Sequence, residues 1–139
     1  MTKRTPHLLL VDDDARLVEL LEDRLRRDGY SVAVATRGSQ AVAALDRHWP
    51  DLVVLDLMLP DMRGEQVAAQ IKRRADLPII VLSAVTEVNS RTATIRDFAE
   101  DYLVKPFHYP ELQVRIERIL KRMSDRIPSE EQVVASGLV

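Results

Sequence analysis

The chain has 139 residues, and its 20 basic residues against 22 acidic ones leave a net charge of only −2. That balance excludes a strongly basic surface spread over the whole molecule, leaving only a local patch open to nucleic acid. There is no cysteine, so disulfides and thiolate chemistry are excluded. No run approaches the roughly 18 apolar residues of a membrane-spanning helix, and residues 1–6 lack the apolar core of a signal peptide. The expectation is one globular domain working in the cytoplasm, away from any membrane.

In chain order, the first apolar run is Leu8-Leu9-Leu10-Val11. It is too short for a helix and apolar throughout, which predicts a strand covered on both faces, as in a parallel sheet. Asp12, Asp13 and Asp14 follow it. Leu17, Leu21 and Leu25 then share one face of a predicted helix over 15–28, with Gly29 suited to the position just past its end. The second run, 32–35, ends at Ala35-Thr36 and delivers no reactive group. Val42 and Leu45 mark a second helix. The third run, 52–55, is followed by Asp56, and Val67 and Ile71 mark a third helix. The fourth run, 79–82, is followed by Ser83.

Residues 87–99 read as a weak fourth helix, since Asn89, Ser90, Thr92 and Thr94 are mediocre helix formers. Tyr102-Leu103-Val104 is the fifth run, with Lys105 next to it. Leu112, Ile116, Ile119 and Leu120 mark a last helix over about 110–123. From Ser124 onward, Pro128, Ser129, Glu130 and Glu131 interrupt any period and predict a linker or tail. Strand–helix alternation repeated five times predicts an α/β fold, a doubly wound (βα)5 parallel sheet with right-handed crossovers.

In such sheets ligands sit beyond the carboxyl ends of the strands. Those ends bring Asp12, Asp13, Asp14, Asp56, Ser83 and Lys105 to one edge. Each residue has a plain reading when taken singly. Asp14 suits the N-cap of the first helix, Asp56 and Ser83 could begin loops, and Lys105 could be solvated. Three consecutive acids exceed what one cap needs, and close carboxylates repel unless a cation compensates. Hard oxygen ligands suit Mg²⁺, and a carboxylate can accept a phosphoryl group as an acyl phosphate. A cation and a lysine would offset the charge developing on that group.

The segments 8–14 (LLLVDDD), 56–64 (DLMLPDMRG), Ser83-Ala84 and 101–107 (DYLVKPF) together resemble the signature of response regulator receiver domains, the CheY-like superfamily. The resemblance covers residues 7 to about 122. It implies a flavodoxin-like, five-stranded parallel sheet of order 2-1-3-4-5. It further implies that Asp12 and Asp13, with Asp56 and the backbone carbonyl of Met58, hold Mg²⁺ or Mn²⁺. Asp56 matches the phosphorylation site, Lys105 the phosphate-binding lysine, Ser83 the switch hydroxyl and Tyr102 the switch aromatic. Ala84 matches a small residue that leaves the phosphoryl group room, and Lys105–Pro106 a peptide bond that is cis in the family. The donor would be a phosphohistidine on a sensor histidine kinase. Such a domain catalyses its own phosphorylation and dephosphorylation and is not otherwise an enzyme.

Within that family the chain resembles the winged-helix, OmpR-type transcriptional regulators. The resemblance implies a homodimer through the fourth helix, fifth strand and last helix. Arg91, Ile95, Arg96, Asp101, Glu111, Arg115 and Glu117 match positions of that interface, with Arg96 and Glu117 opposite in sign to the commonest pattern. Residues 1–123 would form the receiver and 124–139 a linker or tail. Within that tail, 132–139 (QVVASGLV) faintly resembles the start of a winged-helix effector, through which alone DNA would be contacted. Phe98 departs from the family's glycine and, with the poor helix formers of 88–95, predicts an irregular fourth helix. Met58 and Val85, both apolar, predict a moderately long-lived acyl phosphate. A haloacid-dehalogenase-type phosphatase would need an acid where Met58 stands. A flavodoxin-like cofactor site would need a phosphate-cradling loop where three aspartates stand. A degenerate receiver acting as a phosphorylation-independent interaction module stays open.

Overall fold

Among the described residues, the apolar runs become five parallel strands, and four helices pack on the two faces of the sheet they form. A computed structural model describes residues 5–74, 76–84 and 99–126. The elements are β1 (His7–Val11), α1 (Ala15–Arg27), β2 (Ser31–Ala35), α2 (Gly38–Arg47), β3 (Leu52–Asp56), α3 (Gly64–Arg74), β4 (Ile79–Ala84), β5 (Asp101–Lys105) and α4 (Tyr109–Arg126). The strand order is β2-β1-β3-β4-β5, all pairs parallel. This is the expected doubly wound arrangement and its expected order.

Side chains alternate across a strand, so each central strand feeds two cores. On one face Leu9, Val11, Val53, Leu55, Ile79 and Val81 meet Ala41 and Leu45 of α2 and Val67 and Ile71 of α3. On the other, Leu8, Leu10, Leu52, Val54, Ile80 and Leu82 meet Val18, Leu21 and Leu25 of α1 and Leu112, Ile116 and Ile119 of α4. Each fully buried aliphatic side chain contributes about 1.5–3 kcal/mol. Every residue of β1 and β3 is buried, whereas the edge strands β2 and β5 are partly exposed. That division explains why the central runs contain no polar residue between their ends.

Local signals set the helix ends. Asp14 caps α1, its Oδ1 accepting from Arg16 N at 3.1 Å and Leu17 N at 3.2 Å. Past the other end, Gly29 adopts φ 97°, Gly29 N donates to Arg26 O at 3.0 Å and Tyr30 N to Leu25 O at 3.1 Å. This pair of bonds is a Schellman closure, which needs the left-handed residue that glycine supplies. The buried face of α1 centres on Val18, Leu21 and Leu25, with Leu17 at its margin. The Asp28 carboxylate accepts from the Tyr109 hydroxyl and, at 2.9 Å, from Gln113 Nε2. The last helix is thereby tied to the end of α1.

Two differences from the sequence reading stand out. Asp56, Ser83 and Lys105 are inside their strands rather than after them. Also, α4 continues to Arg126, past the expected end at Met123, so the proposed linker begins within a helix. The weak helix expected over 87–99, with Phe98 and the irregular stretch 88–95, lies outside the described residues except for Ala99, as does 127–139.

At the amino end of the sheet, the His7 ring stacks on His48 at 3.7 Å and 7°. Its Nδ1 lies 2.9 Å from Ser31 Oγ, and His7 N donates to Asp51 Oδ2 at 2.7 Å. Burial pushes the His7 imidazole below its ordinary 6.5; the charge of His48 adds to this, Asp51 opposes it and Arg26 adds again. The folded chain thus binds this proton less tightly than the unfolded chain does. Stability should be flat in pH above the unfolded value and fall as pH drops below it. Urea unfolding between about pH 7 and pH 5.5 should show this loss, and His7→Gln should flatten it.

Candidate functional site

Four strand ends converge at the carboxyl edge. Asp12 leaves β1 fully buried, at 0% exposure, with its amide still bonded to Ala35 O of the neighbouring strand at 3.1 Å. Its Oδ1 accepts from Asp14 N at 2.9 Å. That turn bends the chain into α1 and leaves Asp13 exposed at the rim. Asp56 ends β3 at 5% exposure. Lys105 ends β5, its Nζ donating to Asp12 Oδ2 at 2.8 Å and standing 3.6 Å from Asp56 Oδ2.

Carboxylate oxygens of Asp12, Asp13 and Asp56 all lie within 4.8 Å of one another. At an effective dielectric of about 20, two like charges that close repel by roughly 3–4 kcal/mol. Among the described residues, one ammonium faces three carboxylates. Burial pushes the Lys105 ammonium down, but the Asp12 hydrogen bond and the charges of Asp12, Asp56 and Asp14 outweigh this and hold its pKa above the ordinary 10.5. The donor set is all oxygen, anionic and open on the Asp13 side, which fits a hard divalent cation such as Mg²⁺ or Mn²⁺.

The segment after Asp56 folds tightly over the site. Met58 N donates to Asp56 Oδ1 at 3.3 Å, while the Met58 side chain is 53% exposed. Gly64 N donates to Leu57 O at 2.8 Å, and Met58 bridges Arg63 in antiparallel fashion. A Cβ at Gly64 would fall 2.6 Å from Leu57 Cα and 2.7 Å from Asp56 O, so only glycine permits α3 to start this close to β3.

Ser83 is buried in β4, one position beyond Leu82, the register partner of Asp56, and its hydroxyl donates to Ala84 O at 3.1 Å. Tyr102 is 38% exposed on β5. Lys105–Pro106 is cis, as the resemblance implied. Of the expected dimer positions, Asp101 and Arg115 pair with each other at 3.3 Å. Glu111 accepts from His108 N at 2.8 Å at the start of α4. Glu117 is exposed, while Arg91, Ile95 and Arg96 lie outside the described residues.

A five-stranded sheet of this order, with acids and one lysine meeting at its carboxyl edge, defines the class of CheY-like signalling domains. The chain belongs to the response regulator receiver domain family, whose profile matches residues 8–117. It is a receiver domain of two-component signalling. The chain is similar to the probable transcriptional regulator ycf27 of Pyropia yezoensis, at 38% identity over 139 residues, spanning 100% of this chain and 57% of that protein. Among solved structures it resembles the signal receiver domain assigned to a Luxo repressor of Vibrio parahaemolyticus, with TM-score 0.82 and 30% identity over 91% of this chain and 100% of that one. It also resembles response regulator protein TrrA of Thermotoga maritima in complex with Mg²⁺–BeF, with TM-score 0.75 and 31% identity over 82% of this chain and 98% of that one. The chain spans about half the length of the curated relatives it matches.

Asp61 was missed by the sequence reading. Its carboxylate receives Gly38 N at 2.7 Å and Ser39 N at 3.0 Å. The available signal was an α2 start, Arg37-Gly38-Ser39, without a capping residue of its own.

The crowding of carboxylates has a measurable cost. Without divalent cations, Asp56→Asn should raise unfolding free energy by about 1 kcal/mol, because relief of repulsion exceeds the lost 3.6 Å contact with Lys105. Urea titration in chelator is the check; a loss of stability would contradict it.

Proposed function

We propose that this receiver takes a phosphoryl group on Asp56 from a phosphohistidine of a sensor histidine kinase. The observation that carries the reading is the trio of Asp12, Asp13 and Asp56 oxygens within 4.8 Å, faced by the Lys105 ammonium. An Asp56 oxygen attacks phosphorus while the bond to the imidazole nitrogen breaks, so one P–O bond replaces one P–N bond. The ring leaves as neutral imidazole after protonation at its other nitrogen. Mg²⁺ or Mn²⁺ held by Asp12, Asp13, Asp56 and the Met58 carbonyl would supply positive charge against the phosphoryl oxygens. The chain turns over no other substrate, so it acts as an acceptor rather than an enzyme.

The added group brings about −1.5 to −2 charge and three strong acceptors. Lys105, 3.6 Å from Asp56 Oδ2, is near enough to follow it. The Ser83 hydroxyl turns from Ala84 O toward a phosphoryl oxygen, and Tyr102 reports the change on the β5 surface. The output is transcriptional, a reading supported by the description of ycf27 and by the resemblance of 132–139 to the start of a winged helix. Residues 1–123 form the receiver, and 124–139, which begin within the last turn of α4, lead toward an effector that alone contacts DNA. Phosphorylation favours a homodimer that uses β5 and the last helix, and the reading implies a cytoplasmic site of action beside the kinase.

Incubation with a small phosphodonor and Mg²⁺ should add one phosphoryl group by intact mass, and Asp56→Asn should abolish the adduct. No adduct on the unaltered chain would favour a phosphorylation-independent interaction module. Met58 is apolar and cannot orient an attacking water. Met58→Asn should therefore speed loss of the phosphoryl group severalfold, and an unchanged rate would count against that role.

A further inference from the structure

We infer that Asp61 is a positioning residue for the cation site, holding the Met58 segment in place by capping α2 from across the sheet edge. The inference rests on the proposed reading of Met58 as a ligand through its carbonyl.

Helix α2 begins without a side-chain cap: Arg37 occupies the N-cap position at φ −142°, ψ 156° and makes no capping bond. The first amides of a helix need acceptors. Here both come from a segment 22 to 23 residues away, Asp61 Oδ1 taking Gly38 N at 2.7 Å and Oδ2 taking Ser39 N at 3.0 Å. One carboxylate spans two donors at the positive end of a helix. Met62 adds an apolar contact, since a Cβ at Gly38 would fall 2.2 Å from Met62 Cγ and 2.5 Å from its sulfur. The tip of the segment is therefore seated on α2 by charge and by packing.

The base of the same segment carries the site. Residues 57–63 are closed by the Gly64 N–Leu57 O bond of 2.8 Å and by the Met58–Arg63 bridge. Only Leu59 and Pro60 separate Met58 from Asp61, and proline fixes one of the intervening torsions. A tip released from α2 would pass its displacement to Met58 through two residues. Met58 N also bonds Asp56 Oδ1 at 3.3 Å, so the same movement reaches the acceptor carboxylate. The plain alternative is that Asp61 stabilises the fold and nothing more.

The two are separated by measuring Mg²⁺ affinity calorimetrically on the 139-residue chain, alongside Tm without Mg²⁺. Asp61→Ala should weaken Mg²⁺ binding about tenfold, the scale on which partners that orient ligands act. Asp61→Asn keeps one acceptor and should fall between Asp61→Ala and the unaltered chain. Asp51→Ala is the control: it removes an acceptor for the His7 amide at the opposite end of the sheet, so it should lower Tm and leave Mg²⁺ affinity unchanged. Equal Mg²⁺ affinity in Asp61→Ala and the unaltered chain would overturn the inference. So would equal weakening in Asp51→Ala, which would mark a general loss of stability. If the unaltered chain binds no Mg²⁺ at millimolar concentration, the cation site itself fails and the inference falls with it.

Discussion

The rest of the molecule is organised around an unfavourable contact. Asp12, Asp13 and Asp56 bring their carboxylates within 4.8 Å, and Lys105 answers with a single ammonium, 2.8 Å from Asp12 and 3.6 Å from Asp56. Left to local energetics, the acids would turn apart into water. They stay because each is fixed by backbone whose position is decided by apolar packing. Asp12 follows a strand buried along its whole length, and Asp56 ends another. Two aliphatic cores, one on each face, hold those strands rigidly enough to keep like charges together. What they hold is an anionic, all-oxygen donor set of the kind that suits a hard divalent cation.

The backbone near the site is shaped by capping rules turned to a second use. Asp14 satisfies the first amides of α1, and Asp12 satisfies the amide of Asp14, so the acidic run builds the turn that presents it. Gly64 starts α3 close enough to β3 for its amide to close the Met58 segment. Asp61 then ties that segment to α2. Every residue between Asp56 and Gly64 is thus held by a neighbour in another element or lies within two residues of one. The opposite end of the sheet is stapled by different means, the His7–His48 stack and the Asp51 carboxylate, and carries no comparable cluster among the described residues.

On the β5 and α4 side, two positions expected at a dimer interface already answer each other within one chain. Arg115 and Asp101 stand 3.3 Å apart with side chains 30% and 34% exposed. The side chains are only partly exposed and the Arg115 Nε that faces Asp101 is itself buried without a hydrogen bond, so the pair is a close charge contact and not a bonded one. Within the chain it links the start of β5 to the middle of α4.

The sequence by itself determined the alternation of strands and helices, the capping role of Asp14 and the arrival of Asp12, Asp56, Ser83 and Lys105 at one edge. Hydrophobic period and cap chemistry are local properties, legible over a few residues. The strand order came from resemblance, because periodicity does not say which strand lies beside which. Tertiary structure alone decided the Lys105–Asp12 bond, between residues 93 positions apart, and the capping of α2 by Asp61. It also decided the stacking of His7 on His48. In each case the partners are set by how crossovers pack on the sheet, a matter of fractions of an ångström. The same reason extends Asp56, Ser83 and Lys105 into their strands. Ladder hydrogen bonds from neighbours continue past the point where apolar character stops, and only the assembled sheet shows where pairing ends.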